Sequence, residues 1–336
     1  MIRVAINGFG RIGRIAFREM ITGRDFDIVA VNDLSNAEEL AYLLKYDTNH
    51  RSFHEDEISF DNDNIVIAGK KKVKVLSEAD PSKLPWGKLN IDVVLECSGR
   101  FTKYEDAYKH ITAGARHVVI SAPGKGDMKT IVYGVNDSIL DGSEEVISAA
   151  SCTTNCLAPV LNVIEKNIGI RKGYMSTVHA YTNDQATLDI HHSKGIMARR
   201  GRACAQNIVP ASTGAASAIG KVIPSLLGKM DGMAFRVPVS CGSVVDLTLE
   251  LEKDVSKEKL NDLLRNNQSE ALKVCEDPIV SSDVLGKKCG ALVDLLSTNV
   301  LETEAGNLVK VVAWYDNEMG YTAQMLRTAK ALIKEK

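Results

Sequence analysis

The chain has 336 residues, 45% hydrophobic and 25% charged, with 41 basic against 43 acidic side chains and a net charge of −2. The length fits two domains, and the balance is that of an ordinary soluble protein. Near-neutral charge gives no electrostatic reason to expect nucleic acid or an anionic membrane as a partner, and no apolar run reaches transmembrane length. Met1-Ile2-Arg3 leads straight into a strand pattern without a signal peptide, so the cytoplasm is the expected compartment. Seven cysteines without a C-x-x-C suggest reduced thiols, and no metal is expected.

The segment 3–7 is an apolar run that reads as a buried strand. Gly8-Phe9-Gly10-Arg11-Ile12-Gly13 follows, then a helix with Ile12, Ile15, Ala16 and Met20 inward. This is G-x-G-x-x-G between a strand and a helix, the context a dinucleotide-binding turn requires. Gly8 serves the tight turn, Gly10 the approach of a pyrophosphate, and Gly13 the packing of helix on strand. The next strand, 28–32, ends in Asn32 and Asp33. An acid at that position accepts from ribose hydroxyls and repels a 2′-phosphate, which favours NAD over NADP. Asp33 also fits a plain turn before Leu34-Ser35.

Alternation continues with a helix over 38–45, two short strands within 65–75, a strand over 92–97, a helix over 105–113 and a strand over 117–121. All-apolar strands alternating with helices predict a parallel sheet covered by helices. Ligands bind at the carboxyl ends of such strands, where Asn7, Asp33, Ser98 and Ser121 stand.

The run 146–150 reads as another strand and 157–167 as a helix. Cys152 therefore lies where strand hands over to helix. Helix N-termini favour anions, and a thiol placed there is partly converted to thiolate, the nucleophilic form. Pro159 within that helix is expected to kink it.

Beyond this point the strands alternate, over 174–180, 234–238, 243–252 and 308–315, with a helix over 256–266. This predicts an α+β domain with a mixed or antiparallel sheet. The stretch 182–209 is long and poorly periodic, carries Arg199-Arg200-Gly201-Arg202, and suits a functional loop or subunit contact. His179 is the candidate base, although spacing alone does not bring it to Cys152. An amphipathic helix over 321–334 closes the chain.

Ile-Asn-Gly-Phe-Gly-Arg-Ile-Gly-Arg (6–14), Ala-Ser-Cys-Thr-Thr-Asn-Cys (150–156), Thr-Val-His-Ala-Tyr-Thr-Asn-Asp-Gln (177–185), Ser-Thr-Gly-Ala-Ala (212–216), Arg-Val-Pro (236–238) and Trp-Tyr-Asp-Asn-Glu-Met-Gly-Tyr (314–321) occur in this order. Over essentially its whole length the chain resembles the phosphorylating glyceraldehyde-3-phosphate dehydrogenases of bacterial type. The resemblance implies an α/β protein with a Rossmann-type, mostly parallel sheet domain (1–151 plus 317–336) that binds NAD. It implies an α+β catalytic domain over 152–316.

The resemblance further implies that Cys152 attacks the aldehyde of D-glyceraldehyde 3-phosphate, that His179 pairs with the thiolate and acts as base, and that inorganic phosphate cleaves the thioester. Asn7, Gly8, Phe9, Gly10, Arg11, Ile12, Gly13, Asn32, Asp33, Ser98, Gly99, Ser121, Asn317 and Tyr321 become the expected NAD contacts, with Asn317 on the nicotinamide amide. Thr182 and Arg236 resemble the subsite for the substrate's phosphate, and Ser151, Thr153, Thr213 and Gly214 that for the attacking phosphate. Arg200, with Arg202 as the alternative, is expected to face the anions. A homotetramer is implied, with 182–209 in a subunit contact. The chain departs from the usual pattern at Ile190-His191, in a lengthened loop through 194–198, and at Ala79, where an arginine is common. An erythrose-4-phosphate dehydrogenase would share Cys152 and His179 but pass the acyl group to water. A silent NAD-binding interaction protein would need neither residue.

Overall fold

The computed structural model describes residues 1–304 and 306–333, and the chain divides into two compact units. The first comprises Met1–Tyr133, Asp137–Ser151 and Met325–Lys336; the second comprises Gly134–Asn136 and Cys152–Gln324.

The first unit is built on an eight-stranded sheet. Its strands are β1 (Ile2–Asn7), β2 (Phe26–Asn32), β3 (Ile58–Asp61), β4 (Asn64–Ile67), β5 (Lys71–Leu76), β6 (Val93–Glu96), β7 (His117–Ile120) and β8 (Val146–Ser148). The order is β3-β4-β5-β2-β1-β6-β7-β8, and only the β3–β4 and β4–β5 pairings are antiparallel. Strand order reverses at β1, so its carboxyl end is the switch point where such sheets bind ligands. Val4, Ala5, Ile6, Val93, Val94 and Leu95 are fully buried, as strands covered on both faces require.

Helices α1 (Arg11–Thr22) and α2 (Ala37–Lys45) follow the first two strands. The Asn36 side chain accepts from the Glu39 N–H at the start of α2, an ordinary N-cap. Gly10 begins α1 with no side-chain cap and no acid in the first turn, which leaves helix N–H groups for a ligand. The expected helix over 105–113 is two short ones, α3 (Tyr104–Ala107) and α4 (Lys109–Thr112), meeting at Tyr108. The expected strand over 146–150 stops at Ser148, because Ala150 has φ 58°. Strand β3, Ile58-Ser59-Phe60-Asp61, is not among the expected elements: it alternates, but over only four residues.

The second unit holds a seven-stranded sheet with the order β10-β11-β9-β12-β15-β14-β13. The strands are β9 (Ile170–Ala180), β10 (Val209–Ser212), β11 (Met230–Val237), β12 (Ser243–Leu251), β13 (Leu272–Cys275), β14 (Ala291–Leu301) and β15 (Leu308–Tyr315). It is mixed: β9–β11 and β13–β14 pair in parallel and the rest antiparallel. Helices α5 (Cys152–Asn167) and α7 (Lys257–Asn266) pack on it; α6 (Ile219–Val222) is a single turn, and α8 (Met319–Leu332) ends the described chain. Lys334, the expected end of the last helix, lies outside the described residues.

Helix α5 starts at Cys152, five residues before the expected 157, and runs through Pro159. Proline has no N–H for the Asn155 carbonyl four residues back. Gly290 passes that carbonyl so closely that a Cβ there would lie 2.4 Å from its oxygen.

Candidate active site

At the end of β1 the backbone makes the site. Gly8 has φ +91°, and a Cβ on it would lie 2.5 Å from the Ser98 backbone. A Cβ on Gly13 would lie 2.2 Å from the Gly8 carbonyl, whereas one on Gly10 would meet nothing within 4 Å. Gly8 and Gly13 thus close the turn, and Gly10 faces open space. A cavity of about 340 Å³ opens there, lined in part by Asn7, Gly8, Gly10, Asn32, Asp33 and Ser98. The Asp33 carboxylate accepts from Phe9 N–H at 2.7 Å and from Ser35 N–H at 3.1 Å, so it is both turn former and rim acceptor. An uncapped helix N-terminus, a glycine facing the cavity and a carboxylate at its rim fit a dinucleotide.

Beneath the cavity lies a buried network that sequence reasoning missed. Glu96, 1% exposed, accepts from the Asn7 amide, from Ser98 N–H and Oγ, and from His110 Nε2. Trp86 Nε1 donates to His110 Nδ1 at 2.9 Å. Indole is only a donor, so Nδ1 carries a lone pair, and the proton of the neutral ring sits on Nε2, facing Glu96. Asn32 donates to Asn7 Oδ1 at 2.7 Å. Both ends of the Asn7 amide are therefore occupied within the sheet. Arg11 places its guanidinium on Asp47, Gly99 has φ +70°, and Ser121 N–H donates to the Glu96 carbonyl.

In the second unit, side chains make the site. Alternation along β9 buries Met175, Thr177 and His179. Register places Arg236 of β11 opposite His179. His179 Nε2 lies 3.4 Å from Cys152 Sγ at the first residue of α5. The Tyr315 ring meets the His179 ring edge-on, with centroids 5.8 Å apart.

His179 Nδ1 lies 2.7 Å from the Ala180 carbonyl oxygen and 2.7 Å from Arg236 Nη1. It serves one at a time: as N–H it donates to Ala180, and as lone pair it accepts from Arg236. Only the first tautomer leaves Nε2 able to take a proton from sulfur. Burial, then the Arg236 charge, lowers His179 to about 3. Burial raises the Cys152 thiol, while Arg236 and donors at the start of α5 work the other way. Taken singly, both groups favour their neutral forms. Proton transfer from Sγ to Nε2 creates the two charges in contact, the form in which each buried charge is compensated.

Cys97 has no cation among the groups that shift it: burial and then Glu96 push its thiol up to about 12, against a hydrogen bond with Ser121. Cys156 and Cys241 are also raised, first by burial.

Arg236 also reaches the Thr182 hydroxyl at 3.3 Å. Thr182 donates to Asp184, which is paired with Arg200. Arg202 instead pairs with Asp189 at 3.1 Å, with both side chains more than half exposed. Thr213 accepts from Ala215 N–H at 3.2 Å, and a Cβ on Gly214 would meet nothing within 4 Å. The bonds described for these two residues do not join them to Cys152. Asn317 Oδ1 accepts from Gly242 N–H at 3.1 Å and Ser243 Oγ at 3.0 Å. That commits its oxygen and leaves the NH2 end as the donor for a ligand. Tyr321 is buried in α8, and Ser151 precedes Cys152 half-buried.

A Rossmann-type sheet with such a cradle defines a class, the NAD-dependent oxidoreductases, and comparison with known proteins agrees. The family described as glyceraldehyde 3-phosphate dehydrogenase, NAD binding domain, matches residues 2–104, and its C-terminal domain matches 151–317. The chain is 53% identical over 334 residues to glyceraldehyde-3-phosphate dehydrogenase of Clostridium pasteurianum and 53% identical over 334 residues to that of Clostridium acetobutylicum. It is 48% identical over 335 residues to that of Streptococcus pyogenes, and each alignment covers 99% of both chains. The chain belongs to the glyceraldehyde-3-phosphate dehydrogenase family.

Proposed function

We propose that this chain carries out the glycolytic oxidation and phosphorylation of D-glyceraldehyde 3-phosphate to 1,3-bisphosphoglycerate. The observation that carries the reading is the 3.4 Å approach of Cys152 Sγ to His179 Nε2 in a chain of this family. The Cys152 thiolate forms a bond to the aldehyde carbon, the carbonyl π pair moves to oxygen, and His179 delivers the proton that makes a thiohemiacetal. Neutral His179 then takes that hydroxyl proton back as the carbon is oxidised to a thioester. The chemistry NAD supplies when bound is acceptance of the hydride. A phosphate oxygen next attacks the thioester carbonyl, the carbon–sulfur bond breaks, and Cys152 leaves as thiolate. Covalent catalysis divides one hard reaction into two easier ones.

Thr182 and Arg236 are proposed for the substrate's own phosphate, and Ser151, Thr153, Thr213, Gly214 and Arg200 for the attacking phosphate. Arginine suits phosphate oxygens because it donates two hydrogen bonds in one plane. Residues 7–13 (Asn7, Gly8, Phe9, Gly10, Arg11, Ile12 and Gly13), with Asn32, Asp33, Ser98, Gly99 and Ser121, are proposed to hold the adenosine and pyrophosphate parts of NAD. Asn317 and Tyr321 are proposed for its nicotinamide. The proposed domains are 1–151 plus 317–336 for NAD and 152–316 for catalysis; residues 317–324 belong to the second compact unit. No described helix is long and apolar enough to cross a membrane, and the cytoplasm is the proposed compartment.

A homotetramer is also proposed. Ile190, Ile196, Met197 and Ile208 are 65–89% exposed, and a second copy is the proposed cover for this apolar surface. Sedimentation at micromolar concentration checks it; a monomer contradicts it.

The test of activity is NADH formation from NAD and D-glyceraldehyde 3-phosphate, with and without inorganic phosphate, beside erythrose 4-phosphate. Fast turnover of the triose that needs phosphate is expected. Phosphate-independent turnover, or preference for the tetrose, overturns the substrate and acceptor.

A further inference from the structure

Three hydroxyl groups run inward from Cys152. Thr153 Oγ1 lies 4.0 Å from Cys152 Sγ and 3.0 Å from the Tyr315 hydroxyl. The Tyr315 hydroxyl lies 2.9 Å from Thr177 Oγ1, and Thr177 Oγ1 donates to the Val244 carbonyl at 3.0 Å. Thr153 and Thr177 are 5% and 1% exposed, and Tyr315 is 2% exposed.

Each hydroxyl has one proton to give, so the direction of the chain can be counted. The Val244 carbonyl takes the Thr177 proton. Thr177 then has only lone pairs for Tyr315, so Tyr315 donates to Thr177. Tyr315 in turn has only lone pairs for Thr153, so Thr153 donates to Tyr315. Tyr315 keeps its own proton throughout, since burial and then the neighbouring Cys152 hold its phenol well above the ordinary range. Thr153 therefore presents lone pairs, not a proton, to the sulfur. A thiol donates weakly to such an acceptor, but a thiolate gains nothing from it. The Thr153 hydroxyl, at 4.0 Å from the sulfur, favours the thiolate only when its proton points there, and the count above turns that proton to Tyr315. Arg236 from β11, the first N–H groups of α5 and His179 from β9 are the other groups that face the sulfur.

We infer that Tyr315 is a positioning residue that holds the Thr153 hydroxyl proton away from the Cys152 sulfur. Its role is to leave His179 as the side chain that exchanges a proton with the thiol. The relay stands on the geometry; its importance for turnover rests on the proposed role of Cys152. Reversing the chain gives up the 3.0 Å bond from Thr177 Oγ1 to the Val244 carbonyl, which biases the relay one way.

The test is the pH dependence of alkylation of Cys152 by iodoacetamide in the intact chain, followed on the Cys152 peptide by mass spectrometry. Tyr315→Phe keeps the ring and releases the Thr153 proton to the sulfur. The alkylation midpoint is expected to fall by about half a unit or more, because hydrogen bonding to the charged form favours it. Thr153→Val has no such proton to give, and its midpoint is expected within about 0.2 unit of the parent. The Tyr315→Phe shift is expected to vanish in the double variant, the signature of coupling through one contact. Thr177→Val gives a second route: Tyr315 turns its proton to Thr153, Thr153 turns its own to sulfur, and the midpoint falls again. A midpoint unchanged or raised in Tyr315→Phe and Thr177→Val, or equally lowered in the double variant, overturns the inference. Because alkylation needs no turnover, it separates the relay from the proposed reaction, which the NADH assay tests alone.

Discussion

The two sites are built on opposite plans. In the first unit the cradle is backbone: a glycine at φ +91°, a glycine with nothing near its Cβ position, and an uncapped helix start. The nearby polar side chains, Asn7, Asn32 and Glu96, are spent on one another. In the second unit the reactive sulfur, imidazole, guanidinium and phenol come from α5, β9, β11 and β15. A cofactor cradle is defined by where side chains are missing, and a catalytic cluster by where they meet. Substitutions should therefore fail differently in the two places.

The largest effect belongs to the cluster. Cys152→Ala is expected to abolish turnover while NAD still binds, checked by NADH formation beside a calorimetric titration with NAD. Dehydrogenase activity surviving in the variant contradicts the plan. His179→Asn comes next, with hydride transfer slowed by about 10²–10⁴ through loss of general-base help. A parental rate in stopped flow assigns the base elsewhere.

Glycines sharpen the comparison from the other side. Gly8→Ala forces a Cβ onto the Ser98 backbone at a left-handed φ and is expected to cost about 2 kcal/mol or more of stability. Gly10→Ala meets no protein atom, so its denaturation midpoint should hardly move while NAD affinity falls. Equal stabilities for the two variants in urea would blur the distinction.

Asp47 supplies a smaller effect with a sign. Burial works to raise its carboxyl, but the Arg11 hydrogen bond, the His50 N–H and the Arg11 charge outweigh it and bring it down to about 2. A folded value below the unfolded one stabilises the fold above the unfolded pKa and ceases to do so as pH falls through the folded value. Asp47→Asn is expected to cost about 1–2 kcal/mol at neutral pH, after discounting for solvent screening. That cost should fade between roughly pH 4 and 2. Urea midpoints across that range check it, and a cost independent of pH removes the ion pair from the account.

What could be read in the sequence divides along the same line. The glycine turn, Asp33 and the strand ends are local patterns, so residues 7–13 and the alternating elements were legible. Cys152 was legible through its place at a helix start. The contact of His179 with Cys152, the pairing of Arg236 beside it and the arrival of Tyr315 depend on sheet register, which spacing does not encode. The Glu96–His110–Trp86 chain was hidden because a buried carboxylate at a strand end looks like any other acid. The break at Tyr108 and the left-handed Ala150 were hidden because neither residue type marks such a turn.

The most direct test of the central claim is a rapid-mixing experiment with NAD and D-glyceraldehyde 3-phosphate in the absence of phosphate. A burst of NADH equal to the number of Cys152 thiols, followed by a slow phase that phosphate accelerates, is the expected result. NADH formation without a burst, at a rate indifferent to phosphate, contradicts a thioester held on Cys152.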